Sequence, residues 1–197
     1  MDLCEILWKK DYNRADSIYY TLKEENERIF FLLKNSNEEF CFTNKALIHI
    51  TKDTFNPKIN NILRYYYYRN KITNVNLQII EDIDMFLELK FDISDTTILL
   101  ALDIKELSNI NKLYKALISI EEMYIQSDFS LNTASKSLDT ACEVLSKSST
   151  KETPVCQDFR AIAKFTEEWI TNARDKYTLY DLSEVFNKFR LWMDIHY

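Results

Sequence analysis

The sequence predicts an α+β fold, in which a seven-stranded antiparallel β-barrel closed by a helix is followed by an α-helical hairpin or small bundle. Three observations support this prediction. Residues 28–103 contain short aromatic and aliphatic runs separated by polar turns, which is typical of antiparallel strands. Beyond residue 103 the apolar residues recur at helical spacing. The chain of 197 residues is 46% hydrophobic, which is enough to form a substantial core.

The strands are predicted from alternation and from the turns between them. Alternation is clearest in residues 85–91, where one face is apolar and the other is mostly charged, so the apolar face is expected to point into the core. The predicted strands span residues 28–34, 38–42, 46–51, 62–68, 72–80, 83–91 and 96–102. The sequence before them is ambiguous: Leu3, Ile6 and Leu7 suit a short helix, and residues 17–22 fit a helix or a strand equally well.

A helix is predicted to begin at Asp103, because Glu106 three residues later completes a capping-box pattern. Its apolar positions are Ile104, Leu107, Ile110, Tyr114 and Leu117. This helix would close the barrel and end a first domain at residues 1–124.

Residues 125–197 are predicted to form a second, helical region. The stripe of its first helix is Leu131, Ala134, Leu138, Ala141 and Leu145. A polar loop at residues 146–153 leads to a second helix, with Thr153 as its cap and Pro154 at its first position. Thr178 is predicted to cap a last helix. The apolar faces of the second and last helices contain Phe159, Ile162, Phe165, Trp169 and Ala173, and Leu182, Val185, Phe186, Phe189 and Trp192.

Composition excludes several classes of function. The chain has no glycine, so the glycine-rich loops that bind nucleotide phosphates are excluded, and Asn or Asp must occupy the turns. The expected turns are Asn35-Ser36-Asn37, Asn60-Asn61 and Asn70-Lys71. A net charge of -6 disfavours binding to nucleic acid or to an anionic bilayer. No window approaches a membrane-spanning length, and we expect a cytoplasmic protein without stable membrane association.

The residues that could do chemistry do not converge in the sequence. Four cysteines, Cys4, Cys41, Cys142 and Cys156, are far apart, and the histidines are His49 and His196. We therefore predict no catalytic site, no metal site and no cofactor. Asp82, Asp84 and Glu88 could be metal ligands, but a solvated acidic face of a strand is the simpler interpretation. Arg64, Arg69 and Lys71 are interpreted as scattered surface charge.

Five aromatic residues of the helical region are the candidate interface to a partner chain. They are Phe165, Trp169, Phe186, Phe189 and Trp192. At these spacings each helix presents an aromatic ridge, which could equally form the internal core of a hairpin or an interface. Short helices beside a complete barrel have little mass with which to cover such ridges, so we expect part of this surface to contact another copy or the barrel.

Three segments resemble the bacterial pleckstrin-homology family. They are Glu27–Lys34, the run Glu38–Ile50 with Phe42-Thr43-Asn44-Lys45 at its turn, and the acidic strand Asp82–Phe91. Residues after Ile125 resemble the YvbH-like oligomerisation region that follows this domain in one subfamily. A glycine commonly precedes the acidic strand in the family, and its absence here predicts a different turn near residues 81–83.

The resemblance implies a PH-like fold without an established chemical activity, often assembled into oligomers. Relatives that bind phosphoinositides use several basic residues in the loop after the first strand, whereas residues 34–39 here contain one lysine and two glutamates. The leading hypothesis is therefore a non-enzymatic, self-associating scaffold or adaptor, a homo-oligomer with a possible protein partner. A small regulatory or inhibitory protein-binding module is the alternative. A metal-dependent enzyme using the acidic strand is a distant third.

Overall fold

The computed structural model describes residues 2–52, 60–81, 85–148 and 155–189, and side chains in all of these except residues 145–148 and 155–162. It confirms the α+β class. The strands are β1 (Glu5–Ile6), β2 (Ile29–Lys34), β3 (Glu38–Thr43), β4 (Ala46–Lys52), β5 (Asn60–Tyr66), β6 (Ile72–Ile80), β7 (Phe86–Ile93) and β8 (Thr96–Asp103). The helices are α1 (Leu107–Ser148), α2 (Val155–Tyr177) and α3 (Ser183–Phe189).

The strands form two antiparallel sheets. One has the order β1-β2-β3-β4-β5 and the other has the order β6-β7-β8. The Phe42 ring of β3 lies 6.0 Å from the Phe91 ring of β7, so the sheets share an apolar core. Cys4 forms a parallel bridge with Leu102 of β8, immediately before β1 joins the edge of the first sheet. The chain start therefore contacts both sheets.

The first 27 residues differ from the sequence-based expectation. The predicted helix at Leu3, Ile6 and Leu7 was wrong, because Glu5–Ile6 pairs with β2 as a short strand. Residues Lys9–Arg14, Ser17–Tyr20 and Lys23–Glu25 form 3-10 turns. These turns cover the first sheet, packing Leu7, Ala15, Tyr12 and Ile18 against Leu32, Cys41 and Ile48. This cover explains why β2 to β4 are apolar on both faces and show little alternation.

Two buried carboxylates hold this cover on the sheet. Glu39 accepts the backbone N–H groups of Asp16 and Ser17 at 2.9 and 3.0 Å and the Lys34 ammonium at 2.7 Å. Burial alone would raise the pKa of Glu39, but these hydrogen bonds outweigh it and lower the pKa. Glu27 accepts the N–H of Leu22 at 2.6 Å and pairs with Arg64 at 2.7 Å. Arg64 is thus a partner of a buried carboxylate rather than scattered surface charge.

Glycine-free turns are built with Asn and Ser. Among the described residues, a positive φ occurs at Asn26 and Ser94, which lie between elements, and at Asn74, which lies at the register shift in β6. The predicted turn at residues 35–37 is confirmed, since the Asn35 side chain accepts the N–H groups of Asn37 and Glu38. The predicted turn at Asn60-Asn61 was wrong, because both residues lie in β5.

Helix α1 begins close to the predicted position. Asp103 accepts the N–H of Lys105, one 3-10 turn follows, and the α-helix begins at Leu107. Its buried stripe is Ile110, Leu113, Ala116, Leu117 and Ile120. Leu107 is exposed and Tyr114 is only partly buried, so the predicted stripe was shifted around the helix. The helix continues without interruption to Ser148, through the predicted domain boundary at residue 124.

The chain forms two compact units. One contains Met1–Glu122 together with Leu179–Tyr197, and the other contains Met123–Thr178. The sequence-based boundary placed everything after residue 124 in the helical region, whereas α3 belongs to the same unit as the sheets. We refer to these units as the β-unit and the helical unit. Thr153 and Pro154, the predicted start of α2, lie outside the described residues.

Candidate protein-interaction surfaces

Helix α3 lies in an aromatic groove of the β-unit. Phe186 of α3 is fully buried, and its ring stacks on Phe30 of β2 with the centroids 5.2 Å apart. The rings of Phe31 and Tyr67 lie 6.2 and 6.3 Å from the Phe186 ring. Leu182 and Val185 are also buried. A seven-residue helix is too short to be stable alone, so this apolar packing is what holds α3 in place.

Asn44, in the turn between β3 and β4, supplies the polar contacts of the same groove. Its backbone carbonyl accepts the N–H of Leu182 at 2.8 Å, and its side-chain amide donates to Asp181 at 2.8 Å. The Asn44 side-chain oxygen accepts the N–H of Arg28 at 2.8 Å, which fixes the orientation of the amide. Asn44 itself is 1% exposed, so it binds Asp181 and Leu182 from a buried position in the β-unit.

The entrance of the groove is made by tyrosines. The ring of Tyr180 lies 5.4 Å from the ring of Tyr68, and both side chains are partly exposed. The Arg69 guanidinium lies 5.0 Å from the Tyr68 ring centroid, a cation–π arrangement. We call Phe30, Phe31, Asn44, Tyr67 and Tyr68 the α3 groove.

Asp181 joins the groove to the start of α3. One of its oxygens accepts the Ser183 N–H at 2.7 Å, which satisfies an N–H group that the first helical turn leaves unpaired. Partial burial would raise the pKa of Asp181, but hydrogen bonds from Ser183 and Asn44 outweigh it and lower the pKa. The prediction that Thr178 caps the last helix was wrong, because the Thr178 N–H and hydroxyl both bind the Arg174 carbonyl at the end of α2.

The helical unit buries little of its apolar surface. Among its residues with described side chains, Tyr124 and Leu138 are buried. Large apolar side chains are at least half exposed at Ile125, Phe129, Val144, Phe165 and Ile170. Ile125 and Phe129 are one turn apart on α1, so they form a continuous apolar patch.

A cavity of about 420 Å³ lies between α1 and α2 within the helical unit. Its apolar wall contains Leu131, Ala134, Trp169, Ile170 and Ala173, and Arg174 lies at the same site. An apolar cavity of this size means that the two helices do not fill the space between them. Its volume could accommodate several large side chains.

The five candidate interface residues fall into different environments. Phe165 is 60% exposed and Trp169 is half-buried beside the cavity, both in the helical unit. Phe186 is buried in the α3 groove, and Phe189 at the end of α3 is half-buried. Trp192 lies outside the described residues. The described candidates therefore belong to two different units, and Phe186 has no exposed area for contact with a partner.

Of the three carboxylates considered as metal ligands, only Glu88 lies within the described residues. Asp82 and Asp84 lie outside the described residues, and Glu88 accepts a hydrogen bond from the Gln78 amide at 2.6 Å. Within the described ranges there is no group of three or more His, Cys, Asp or Glu residues placed to hold a metal ion.

The polar groups of the loop after β2, where phosphoinositide-binding relatives have basic residues, make hydrogen bonds within the chain. The Lys34 ammonium binds Glu39 and the Arg14 carbonyl, and the Ser36 N–H and hydroxyl bind Asp2. The Lys52 ammonium donates to the Ser36 carbonyl at 2.8 Å. None of the described helices is sufficiently long and apolar to cross a membrane.

The sequence did not reveal the contact between Asn44 and Asp181, which fixes the start of α3 in the groove. Asn44 lies in the Phe-Thr-Asn-Lys turn that carried the family resemblance, but its distant partner leaves no periodic signal. Asp181 precedes an apolar pattern by one residue, which is a helix-start signal. That signal could have placed the start of α3 near residue 182, but not its position in the groove.

Comparison with known proteins agrees with these features. Residues 2–121 match the bacterial PH domain family, and residues 132–190 match the YvbH-like oligomerisation region. The uncharacterized protein YvbH of Bacillus subtilis strain 168 is 30% identical over 188 residues, which cover 95% of this chain and 92% of YvbH.

A solved structure is similar over almost the whole chain. The crystal structure of a PH domain containing bacterial protein from Exiguobacterium sibiricum 255-15 matches with a TM-score of 0.85 and 27% identity, covering 95% of this chain and 99% of that one. The predicted PH-like fold and the predicted helical extension are both confirmed. The chain belongs to the bacterial PH domain family and carries a YvbH-like oligomerisation region after its PH domain.

Proposed function

We propose that the protein is a non-enzymatic scaffold or adaptor of the cytoplasm, which self-associates through its helical unit and presents its β-unit to other proteins. The observation on which the proposal depends is the apolar surface of the helical unit. Phe129 is 72% exposed, and Ile125, Phe165 and Val144 are each at least 60% exposed. Exposed apolar clusters of this kind mark interaction sites in soluble proteins.

The match of the helical unit to the YvbH-like oligomerisation region supports self-association rather than binding of a small molecule. The YvbH-like oligomerisation region spans residues 132–190, which include most of the helical unit and all of the cavity-lining residues except Leu131. Contact between copies would cover exposed Phe165 and Ile170 and place side chains beside the cavity. Covering these side chains removes apolar surface from water, which favours association.

The thiols fit a reducing compartment. Cys4 and Cys41 are free and buried, and Cys142 is free and partly buried. Burial, with a smaller effect from Glu38, raises the pKa of Cys4 to about 12, so this thiol is protonated and unreactive at neutral pH. Buried free thiols of this kind are typical of cytoplasmic proteins.

A regulatory or inhibitory binding module is the second candidate, favoured by the α3 groove. The groove recognises a short amphipathic helix through aromatic packing and through Asn44, which is a mode of peptide recognition used between proteins. In this alternative the β-unit would bind a partner's helix, and assembly of copies would not be needed.

Light scattering coupled to gel filtration tests the proposal. The full-length protein should elute as an oligomer at micromolar concentration, and Trp169→Glu or Phe165→Glu should lower its mass while the helical circular dichroism signal is kept. The matched control is Tyr19→Glu, because Tyr19 is 83% exposed on the β-unit and should leave the mass unchanged. A strictly monomeric wild-type protein would contradict self-association.

A further inference from the structure

We infer that the free edge of β5 is a docking site for an extended, acidic segment of another protein, which adds to the sheet as a further strand. The inference rests on the proposed adaptor role, because it names the surface of the β-unit that receives a partner and the chemistry of that partner. It leaves α3 in its groove and does not involve the contact proposed between copies.

Strand β5 has one row of backbone groups without a partner strand. It is the last strand of its sheet, and among the described strands it pairs with β4 alone. The Tyr67 N–H donates to the Lys45 carbonyl, and the register continues along β5 without a shift. Backbone groups in an antiparallel pair point alternately towards and away from the partner, so the N–H groups of Ile62 and Arg64 point to the open side. An extended peptide binds such a row by strand addition.

The side chains along this edge are apolar and incompletely covered. Ile62 and Leu63 point to opposite faces of the sheet and are 37% and 39% exposed. Protected edge strands are usually very short or carry proline or unpaired charge. Strand β5, Asn60–Tyr66, has seven residues without proline, and its one charged residue, Arg64, pairs with Glu27. This edge therefore has the features of a pairing surface rather than those of a protected edge.

Tyrosines and an arginine extend the surface beyond the end of β5. The ring of Tyr68 lies 5.6 Å from the ring of Tyr66 and 5.4 Å from the ring of Tyr180. The Arg69 guanidinium lies 5.0 Å from the Tyr68 ring centroid, and it has no carboxylate partner among the described residues. Tyrosine and arginine are enriched among the residues that anchor protein interfaces.

The charge of this edge identifies the chemistry of the partner. Residues 54–80, which include β5 and β6, contain four Lys or Arg residues and no Asp or Glu, whereas the whole chain has a net charge of -6. Because Glu27 already binds Arg64, a partner's carboxylate would bind Arg69, whose planar guanidinium suits carboxylates. The docked segment therefore has Asp or Glu at the end beside Arg69 and apolar residues against Ile62 and Leu63.

Peptide display on the full-length protein tests the inference. The probe is a library of random peptides of about nine residues, which is long enough to run along β5 as far as Arg69. Peptides enriched at physiological salt should combine alternating apolar residues with Asp or Glu at one end. A synthesised member of the enriched set should bind the wild type in fluorescence anisotropy, and it should slow amide hydrogen exchange at Ile62 and Arg64.

Two variants change the two parts of the site. Ile62→Pro removes an N–H group that β4 does not use, and Arg69→Glu reverses the free charge, so each should weaken peptide binding by about tenfold or more. The matched control is Lys105→Glu, since Lys105 is an exposed cation before α1 and should leave the affinity unchanged. If Ile62→Pro alters the circular dichroism spectrum, the same peptide with N-methyl groups at alternate residues replaces it as the test. This peptide should not bind the wild type.

Failure to enrich peptides would overturn the inference. Enriched peptides without acidic residues, or an affinity that Ile62→Pro and Arg69→Glu leave unchanged, would also overturn it. If a single-stranded oligothymidine binds in place of peptides and Arg69→Glu abolishes this, the surface belongs to nucleic acid instead.

Light scattering separates these outcomes from the proposed self-association. Trp169→Glu should lower the oligomer mass without changing peptide affinity, and Ile62→Pro should leave the mass unchanged. If the mass falls in Ile62→Pro, β5 pairs with a second copy and the assignment to another protein is wrong. A monomeric wild type that binds the peptides would contradict self-association and support the docking site.

Discussion

The side-chain amide of Asn44 donates a 2.8 Å hydrogen bond to the carboxylate of Asp181, a residue 137 positions away in the chain. The same Asn44 accepts the N–H of Leu182. The turn that identifies the PH-like sequence is therefore also the element that binds the segment before α3. The β-unit therefore includes α3, which the sequence analysis had placed in the helical region. The packing of α3 should contribute to the stability of the β-unit.

Truncation of Phe186 should destabilise the β-unit. Phe186→Ala removes a fully buried ring that packs against Phe30, Phe31 and Tyr67, and we expect a loss of about 3–5 kcal/mol in the free energy of unfolding. Tyr19→Ala, at a side chain that is 83% exposed, should change it by less than about 0.5 kcal/mol. Urea unfolding followed by far-ultraviolet circular dichroism measures both. Equal stabilities for the two variants would contradict the packing of α3 in the groove.

Asp181 should make the free energy of unfolding depend on pH in the acidic range. Its pKa in the folded state is lowered by hydrogen bonds from Ser183 and Asn44, which outweigh the opposing effect of burial. A lowered pKa means that its stabilisation is fully present above the unfolded-state value of about 4 and is lost as the pH falls through the folded-state value. Asp181→Asn should therefore be less stable than the wild type at pH 7, and the difference should shrink below about pH 4.

The matched control for this carboxylate is Asp95→Asn. Asp95 is exposed in the turn between β7 and β8. Its replacement should leave the acid branch of the stability curve as it is in the wild type. If Asp181→Asn and Asp95→Asn have the same pH profile, the carboxylate does not hold α3.

His49 should add a second pH dependence near neutrality. It stacks on Phe40 with centroids 4.3 Å apart, and burial lowers its pKa although the hydrogen bond that its ring donates to the Glu38 carboxylate opposes this. The neutral ring is thus favoured in the folded state, and stability should fall as the pH drops below the unfolded-state value of about 6.5. His49→Gln should flatten the stability profile between about pH 7 and pH 5. An unchanged slope in the variant would contradict the assignment, and histidine NMR titration measures the pKa directly.

Phosphoinositide vesicles should not bind the protein appreciably at physiological salt. The net charge is -6, and the cations beside the loop after β2 already bind Glu39 and the carbonyls of Arg14 and Ser36. Vesicle sedimentation with and without phosphoinositide measures this. A clear dependence on the phosphoinositide fraction would overturn the expectation.

The structure shows which parts of the fold could be predicted from local sequence. Strands β2 to β8 follow runs of β-branched and aromatic residues bounded by Asn and Asp, and a composition of this kind acts through near neighbours in the chain. The strand at Glu5–Ile6 was missed, because two residues contain no period and this strand exists only by pairing with β2. Helix α1 also continues through the predicted domain boundary at residue 124 as far as Ser148, since a change of packing partner leaves no signal in the helix itself.

The candidate interface was predicted only in part. The aromatic spacing in α2 and α3 marked both helices as carrying apolar ridges, and Phe165 and Phe186 are identical in that respect. Their environments are opposite: Phe165 is 60% exposed and Phe186 is fully buried. A pattern shows that a face is apolar but does not show what covers it, because the cover comes from residues distant in the chain.

The sequence by itself determined the α+β class, the order of β2 to β8, the helical nature of the second half and the family. These properties depend on local periodicity, turn chemistry and short motifs. Only the tertiary structure decided that Asn44 meets Asp181, that Glu39 and Glu27 hold the N-terminal turns, and that α3 packs with the sheets. Such contacts close long loops, and many compact arrangements of one pattern satisfy its local preferences, so their selection depends on the burial and hydrogen bonding of the whole chain.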